Sequence, residues 1–139
     1  MIQFVTENVK FPLPNINLTK KWIKLVIETY QKKVGDICII FCDDEYLINI
    51  NRQYLNHDYY TDIITFDYVE GNKISGDLFI SLDTVKSNSV KFSENFEMEA
   101  KRVIIHGILH LLGLKDKTES EELVMRSAEN QALELFPSL

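Results

Sequence analysis

The chain has 139 residues, of which 45% are hydrophobic and 26% charged, and carries a formal net charge of −6. That is enough chain for one core in a single domain spanning residues 1–139, and too apolar for a disordered segment. The acidic balance also argues against nucleic-acid binding by the whole surface through charge alone.

The apolar runs are short and interrupted, which predicts no membrane span. Met1 to Glu7 lacks a basic segment followed by an apolar stretch. This predicts no signal peptide and, by default, a cytoplasmic location. Charge is uneven: Lys10, Lys20, Lys21, Lys24, Lys32 and Lys33 crowd the first quarter, and Glu119, Glu121, Glu122, Glu129 and Glu134 the end. A local basic face is one reading of the first group and a solvated helix face the other.

In chain order, Ile2 to Thr6 reads as a short strand, and Phe11-Pro12-Leu13-Pro14-Asn15 as a loop. Thr19 is placed to cap a helix running to about Val34, with Trp22, Ile23, Val26, Ile27 and Tyr30 as its apolar stripe and Gly35 as its stop. Ile37 to Cys42 is a buried strand. Cys38 and Cys42 share one face of it but stand too far apart along it for a disulfide, so they read as buried reduced thiols. Asp43 or Asp44 caps a second helix with Tyr46, Leu47, Ile50 and Tyr54 facing the core.

Asn56 to Tyr60 forms a polar and aromatic loop. Asp62 to Tyr68 and Ile74 to Leu82 read as two strands of a β-hairpin joined at Glu70-Gly71-Asn72-Lys73. Asp83 caps a helix from Thr84 to about Phe92, and Ser93 or Asn95 a longer one ending near Leu112. Thr118-Glu119-Ser120-Glu121 has the form of a capping box and opens a last helix to about Leu135. The order β-α-β-α-β-β-α-α-α predicts an α+β fold, a small mixed four-stranded sheet with helices packed on it.

The long helix carries the chemistry. His106 and His110 are four residues apart, so both imidazoles project from one face and can share a metal ion. The pair alone is also compatible with hydrogen-bonded core histidines. Gly113 then offers a left-handed stop, and Asp116 follows where that turn can return a carboxylate to the same point. The predicted site has two nitrogens and one oxygen, His106, His110 and Asp116, on a zincin-like helix with open positions for water or substrate. Its donors suit one divalent ion, zinc first, with iron, manganese and nickel also compatible. Metalloproteases place a glutamate after the first histidine as general base; here that residue is Gly107, which argues against peptide hydrolysis and for a close backbone approach.

His106-Gly107-Ile108-Leu109-His110-Leu111-Leu112-Gly113 resembles the YbeY family of metal-dependent endoribonucleases, whose signature is His-Gly-x-Leu-His-Leu-x-Gly-Tyr-Asp-His. Leu114-Lys115-Asp116 replaces the final Tyr-Asp-His, so Asp116 occupies the slot of the family's third histidine. Upstream, Ile50-Asn51-Arg52-Gln53-Tyr54-Leu55, Thr61-Asp62-Ile63-Ile64-Thr65-Phe66 and Gly76-Asp77-Leu78-Phe79-Ile80 resemble further family segments. Leu55 and Tyr59-Tyr60 depart from them, standing where arginine and Lys-Pro are common.

The resemblance implies a hydrolase that cuts single-stranded RNA, matures the 3′ end of small-subunit ribosomal RNA and serves ribosome quality control. Its partners would be single-stranded RNA, ribosomal RNA and the ribosome, with no membrane and no small-molecule cofactor. It implies that Arg52 acts with His106 and His110, as a bidentate clamp on a phosphate. Asp77, Thr61 and Asp62 read as structural, and His57 as an exposed loop residue. Two alternatives remain: a zincin-like metallopeptidase, and a non-enzymatic ribosome-assembly factor whose metal holds the fold.

Overall fold

The computed structural model describes residues 1–57 and 61–137. Asp58, Tyr59 and Tyr60 of the expected polar loop lie outside the described residues. The elements are β1 (Ile2–Thr6), α1 (Ile16–Thr29), β2 (Lys33–Cys42), α2 (Asp44–Leu55), β3 (Ile63–Asp67), β4 (Lys73–Ser81), α3 (Leu82–Lys91), α4 (Phe96–Leu111) and α5 (Glu119–Glu134), in the expected order. The class is α+β, with a four-stranded mixed sheet.

The strands lie in the order β1-β2-β4-β3. β1 and β4 each run parallel to β2, and β3 pairs antiparallel to β4 as the hairpin partner. Alternation along the strands divides the side chains between two faces. Ile37, Ile39 and Phe41 of β2 and Ile74, Leu78 and Ile80 of β4 enter the larger core, with Trp22, Ile23, Ile104, Ile105 and Ile108 from the helices. Cys42, Leu47 and Ile64 form a smaller cluster on the other face with Tyr46, Ile50, Phe66 and Phe79. The Trp22 indole N–H donates to the Ala132 carbonyl at 2.7 Å, tying α1 to α5. No described helix is long and apolar enough to cross a membrane.

Several helix ends differ from expectation because another polar group reaches the cap first. Asn15, not Thr19, caps α1: its side chain accepts from the Leu18 amide at 2.9 Å. The Thr19 hydroxyl is inside the helix and donates to the Asn15 carbonyl. The helix stops at Thr29, four residues before β2 begins, and the expected stop Gly35 lies within β2. Ser81 caps α3 in place of Asp83, whose carboxylate accepts instead from the Asp44 amide at the start of α2. Tyr54, expected in the core, is 61% exposed. It overhangs the sheet margin with its ring edge-on to Phe66, while Ile48 and Asn51 take the buried positions.

Cys38 and Cys42 are free thiols, as expected, but only Cys42 is buried; Cys38 is partly exposed. Burial, reinforced by the charges of Asp43, Asp44, Asp83 and Glu7, pushes the Cys42 thiol up to about 12, so it stays protonated at neutral pH.

Candidate metal centre

α4 is built to be mostly buried and to end abruptly. Asn95 caps its start, accepting from the Met98 amide at 2.8 Å, and Glu97 and Glu99 stand in the first turn where the helix dipole favours acids. Val103, Ile104, Ile105, Ile108 and Leu109 bury its sides. Gly107 faces the sheet: a β-carbon there would lie 2.7 Å from Ile63 Cδ1 and 3.0 Å from Leu78 Cδ1. The expected close approach is therefore helix against strand side chains. At the other end Gly113 has φ +104°. Its amide donates to the His110 carbonyl and the Leu114 amide to the Leu109 carbonyl, each at 3.0 Å, in the Schellman pattern. That turn brings Asp116 back over the helix end.

The three expected ligand residues come together. His106 Nε2 and His110 Nε2 are 3.0 Å apart, and Asp116 Oδ2 is 3.1 Å from the first and 3.3 Å from the second. Small divalent ions held by bonds of about 2.0–2.2 Å keep their ligands at such separations. The remaining ring nitrogens are already engaged. His110 Nδ1 lies 2.9 Å from the Leu114 carbonyl, which can only accept, so the proton sits on Nδ1 and the Nε2 lone pair points outward. His106 Nδ1 lies 2.6 Å from Glu129 Oε2, which orients it the same way. Three acceptors aimed at one point repel each other unless a cation lies between them. The donor set thus fits a metal ion.

Glu129 was not singled out by the sequence pattern, where it counted only as one of the late acids. Its carboxylate is buried in α5, and Oε1 accepts from Arg102 Nη1 at 3.0 Å. The available signal was positional: Glu129 shares the buried stripe of Met125, Ala128 and Ala132. Burial opposes charge on His106, but the Glu129 hydrogen bond and the charges of Glu129, Asp116 and Asp62 outweigh it and raise its pKa. Burial likewise works against ionised Glu129, yet the hydrogen bonds from His106 and Arg102 lower its pKa.

A cleft of about 610 Å³ opens beside the two histidines. Its walls include Asn51 and Leu55 of α2, Thr61 and Asp62, strand β3, and the Gly113–Asp116 turn. The exposed His57 lines it too. Burial raises the Asp62 pKa, partly countered by His106 and by backbone amides. Arg52 sits in the last turn of α2 with an exposed side chain; its neighbour Asn51 lines the cleft and Arg52 does not. Asp77 is on the opposite sheet face, beside Tyr46, Phe66 and Phe79. None of the six early lysines lines the cleft; among its described walls Lys115 is the basic residue outside the histidines.

Comparison with known proteins bears on the chemistry. The profile of the family described as Endoribonuclease YbeY matches residues 2–137. A Bacteroides fragilis protein named Endoribonuclease YbeY is 57% identical over 132 residues, covering 95% of each chain. A Phocaeicola vulgatus protein of the same name is 57% identical over 136 residues, covering 98% of this chain and 99% of its own. The solution structure of a Thermotoga maritima protein superposes with a TM-score of 0.69 at 25% identity, covering 98% of this chain and 89% of that one.

Proposed function

The chain belongs to the YbeY endoribonuclease family, and from that premise we propose that it cuts single-stranded RNA at the cleft beside His106, His110 and Asp116, with ribosomal RNA as its substrate. The observation that carries this reading is the donor triangle of 3.0–3.3 Å at the end of an open cleft. The hydrolase activity on RNA follows from the family; the single-strand preference, the zinc ion, the cytoplasmic setting and the residue roles are this proposal.

His106, His110 and Asp116 would hold the ion. A divalent ion bound there supplies Lewis acidity toward a phosphoryl oxygen and acidifies water. Each histidine is held by a hydrogen bond on its far nitrogen, which leaves both Nε2 atoms facing the position the ion would take. Arg52, in the last turn of α2 beside the cleft-lining Asn51 and itself outside the lining, would have to swing toward the cleft to offer its planar fork of N–H donors to the phosphate and stabilise charge growing in the transition state. Asp62 and Asp67 on the cleft wall give little to a phosphate backbone, and Lys115 is the lysine in the lining. An unpaired strand can bend into such a cleft, whereas a duplex presents its phosphates on a stiff surface. The metallopeptidase alternative loses ground because position 107, where its general base would stand, is packed against Ile63 and Leu78.

The test is cleavage of matched single-stranded and duplex RNAs by metal-loaded wild type, Arg52→Ala and His110→Ala. The expected outcome is cutting of the single strand, loss of cutting on chelation and with His110→Ala, and a fall of about 100-fold with Arg52→Ala, in the range of one lost transition-state contact. Undiminished cutting by Arg52→Ala would remove that residue from the proposal. Ends carrying a cyclic phosphate would assign the attack to the ribose 2′-hydroxyl instead of water.

A further inference from the structure

We propose that Glu129 is a positioning residue for the metal centre: its Oε2 holds His106 in the Nδ1–H tautomer, and Arg102 fixes its other oxygen. The inference rests on the reading of His106, His110 and Asp116 as ligands.

The two histidines are steadied by different means. His110 donates to the Leu114 carbonyl, within the turn that ends its own helix. His106 has no such local acceptor and takes one from another helix, 23 residues on. A carboxylate only 5% exposed is expensive to place among Met125, Ala128 and Ala132 unless its oxygens are satisfied. Both are. Oε1 accepts from Arg102 at 3.0 Å, with Arg126 at 3.6 Å, and Oε2 meets His106 Nδ1 at 2.6 Å. Arg102, His106 and His110 follow one another at four-residue steps on α4, so one face of that helix carries the anchor for Glu129 and then both imidazoles. An ion pair between Arg102 and Glu129 alone would not need the second oxygen to lie on the imidazole. An anionic acceptor on Nδ1–H makes Nε2 a stronger donor and fixes the ring plane.

The test compares Glu129→Met, which removes the acceptor, with Glu129→Gln, which keeps a neutral one. Zinc affinity is read by competition with a chelator, the His106 tautomer by nitrogen NMR of the metal-free protein in alkaline buffer, and the fold by circular dichroism. Glu129→Met is expected to weaken zinc binding about 10–100-fold and to mix the His106 tautomers. Glu129→Gln is expected to restore the tautomer and part of the affinity. Wild-type affinity with an unchanged tautomer in Glu129→Met would overturn the proposal. If that variant does not fold, Glu129→Gln decides, because losing the charge should itself weaken zinc binding and unchanged affinity would overturn the role. Wild-type protein that binds no zinc would instead overturn the ligand assignment.

Discussion

His106 and Glu129 make a pair whose two pKa values move apart, and this has a consequence for the metal-free protein. Against the penalty of burial, the carboxylate raises the His106 pKa above its ordinary 6.5. Against the same penalty, His106 and Arg102 lower the Glu129 pKa below its ordinary 4.5. A raised imidazole pKa contributes stability that is full below 6.5 and is lost as pH rises through the folded-state value. A depressed carboxylate pKa contributes stability that is full above 4.5 and is lost as pH falls through the folded-state value. The stabilising effect of the pair is therefore greatest between those two limits. Thermal melts of metal-free wild type and Glu129→Gln across pH should differ most in that window, and the gap should narrow on the alkaline side to what the Arg102–Glu129 ion pair retains. A gap that widens above pH 8, on the order of 1–2 units past the imidazole range, would contradict the pairing. Metal loading needs neutral imidazoles, so zinc should bind more tightly as pH rises over the same range.

At the level of elements, the contact between α4 and the sheet sets what position 107 accepts. A β-carbon there already lies within 3.1 Å of Ile63 and Leu78 atoms, at a residue whose neighbours Ile105 and Ile108 are fully buried. Gly107→Glu, the residue a metalloprotease would carry, should cost more than about 3 kcal/mol, since it adds both volume and an unpaired charge to that contact. Chemical denaturation measures it; a folded variant of near wild-type stability would show that α4 can lift from the sheet. The same packing explains what was legible beforehand. Element order followed from periodicity, because the stripe of α1 and the unbroken apolar run of β2 each admit one assignment. Helix ends were less legible: Asn15 and Thr19 are both good caps by type and only the local geometry of α1 chooses Asn15, while Asp83 is taken by the start of α2 and leaves Ser81 to cap α3. The insertion of β4 between β2 and β3 depends on packing and was not read from any one segment. The candidate ligand group was legible because His106, His110 and Asp116 are local in sequence and joined by a turn that Gly113 marks. Glu129 was not, because only the folding of α5 across α4 brings it to His106.

At the scale of the molecule, the candidate metal centre lies at the margin of the core. Trp22, Phe41, Ile23 and Ile104, among the largest buried side chains, belong to a cluster that includes none of the three candidate ligand residues. The histidines and Asp116 are partly exposed, and the turn between them is already closed by backbone hydrogen bonds. This predicts a fold that stands without the ion, whereas an assembly factor held together by a structural metal would need it. Chelator-treated protein should keep its secondary structure and its cooperative melt. Zinc should then raise the melting temperature by linkage alone. At a free concentration of about 100 times Kd this amounts to about 2.7 kcal/mol, or on the order of 5–10 °C for a chain of this size. Unfolding on chelation would favour the structural-metal reading. A cooperative metal-free protein that has lost RNA cleavage and regains it on titration with zinc would favour the enzyme, because only then is the ion needed for the reaction and not for the fold.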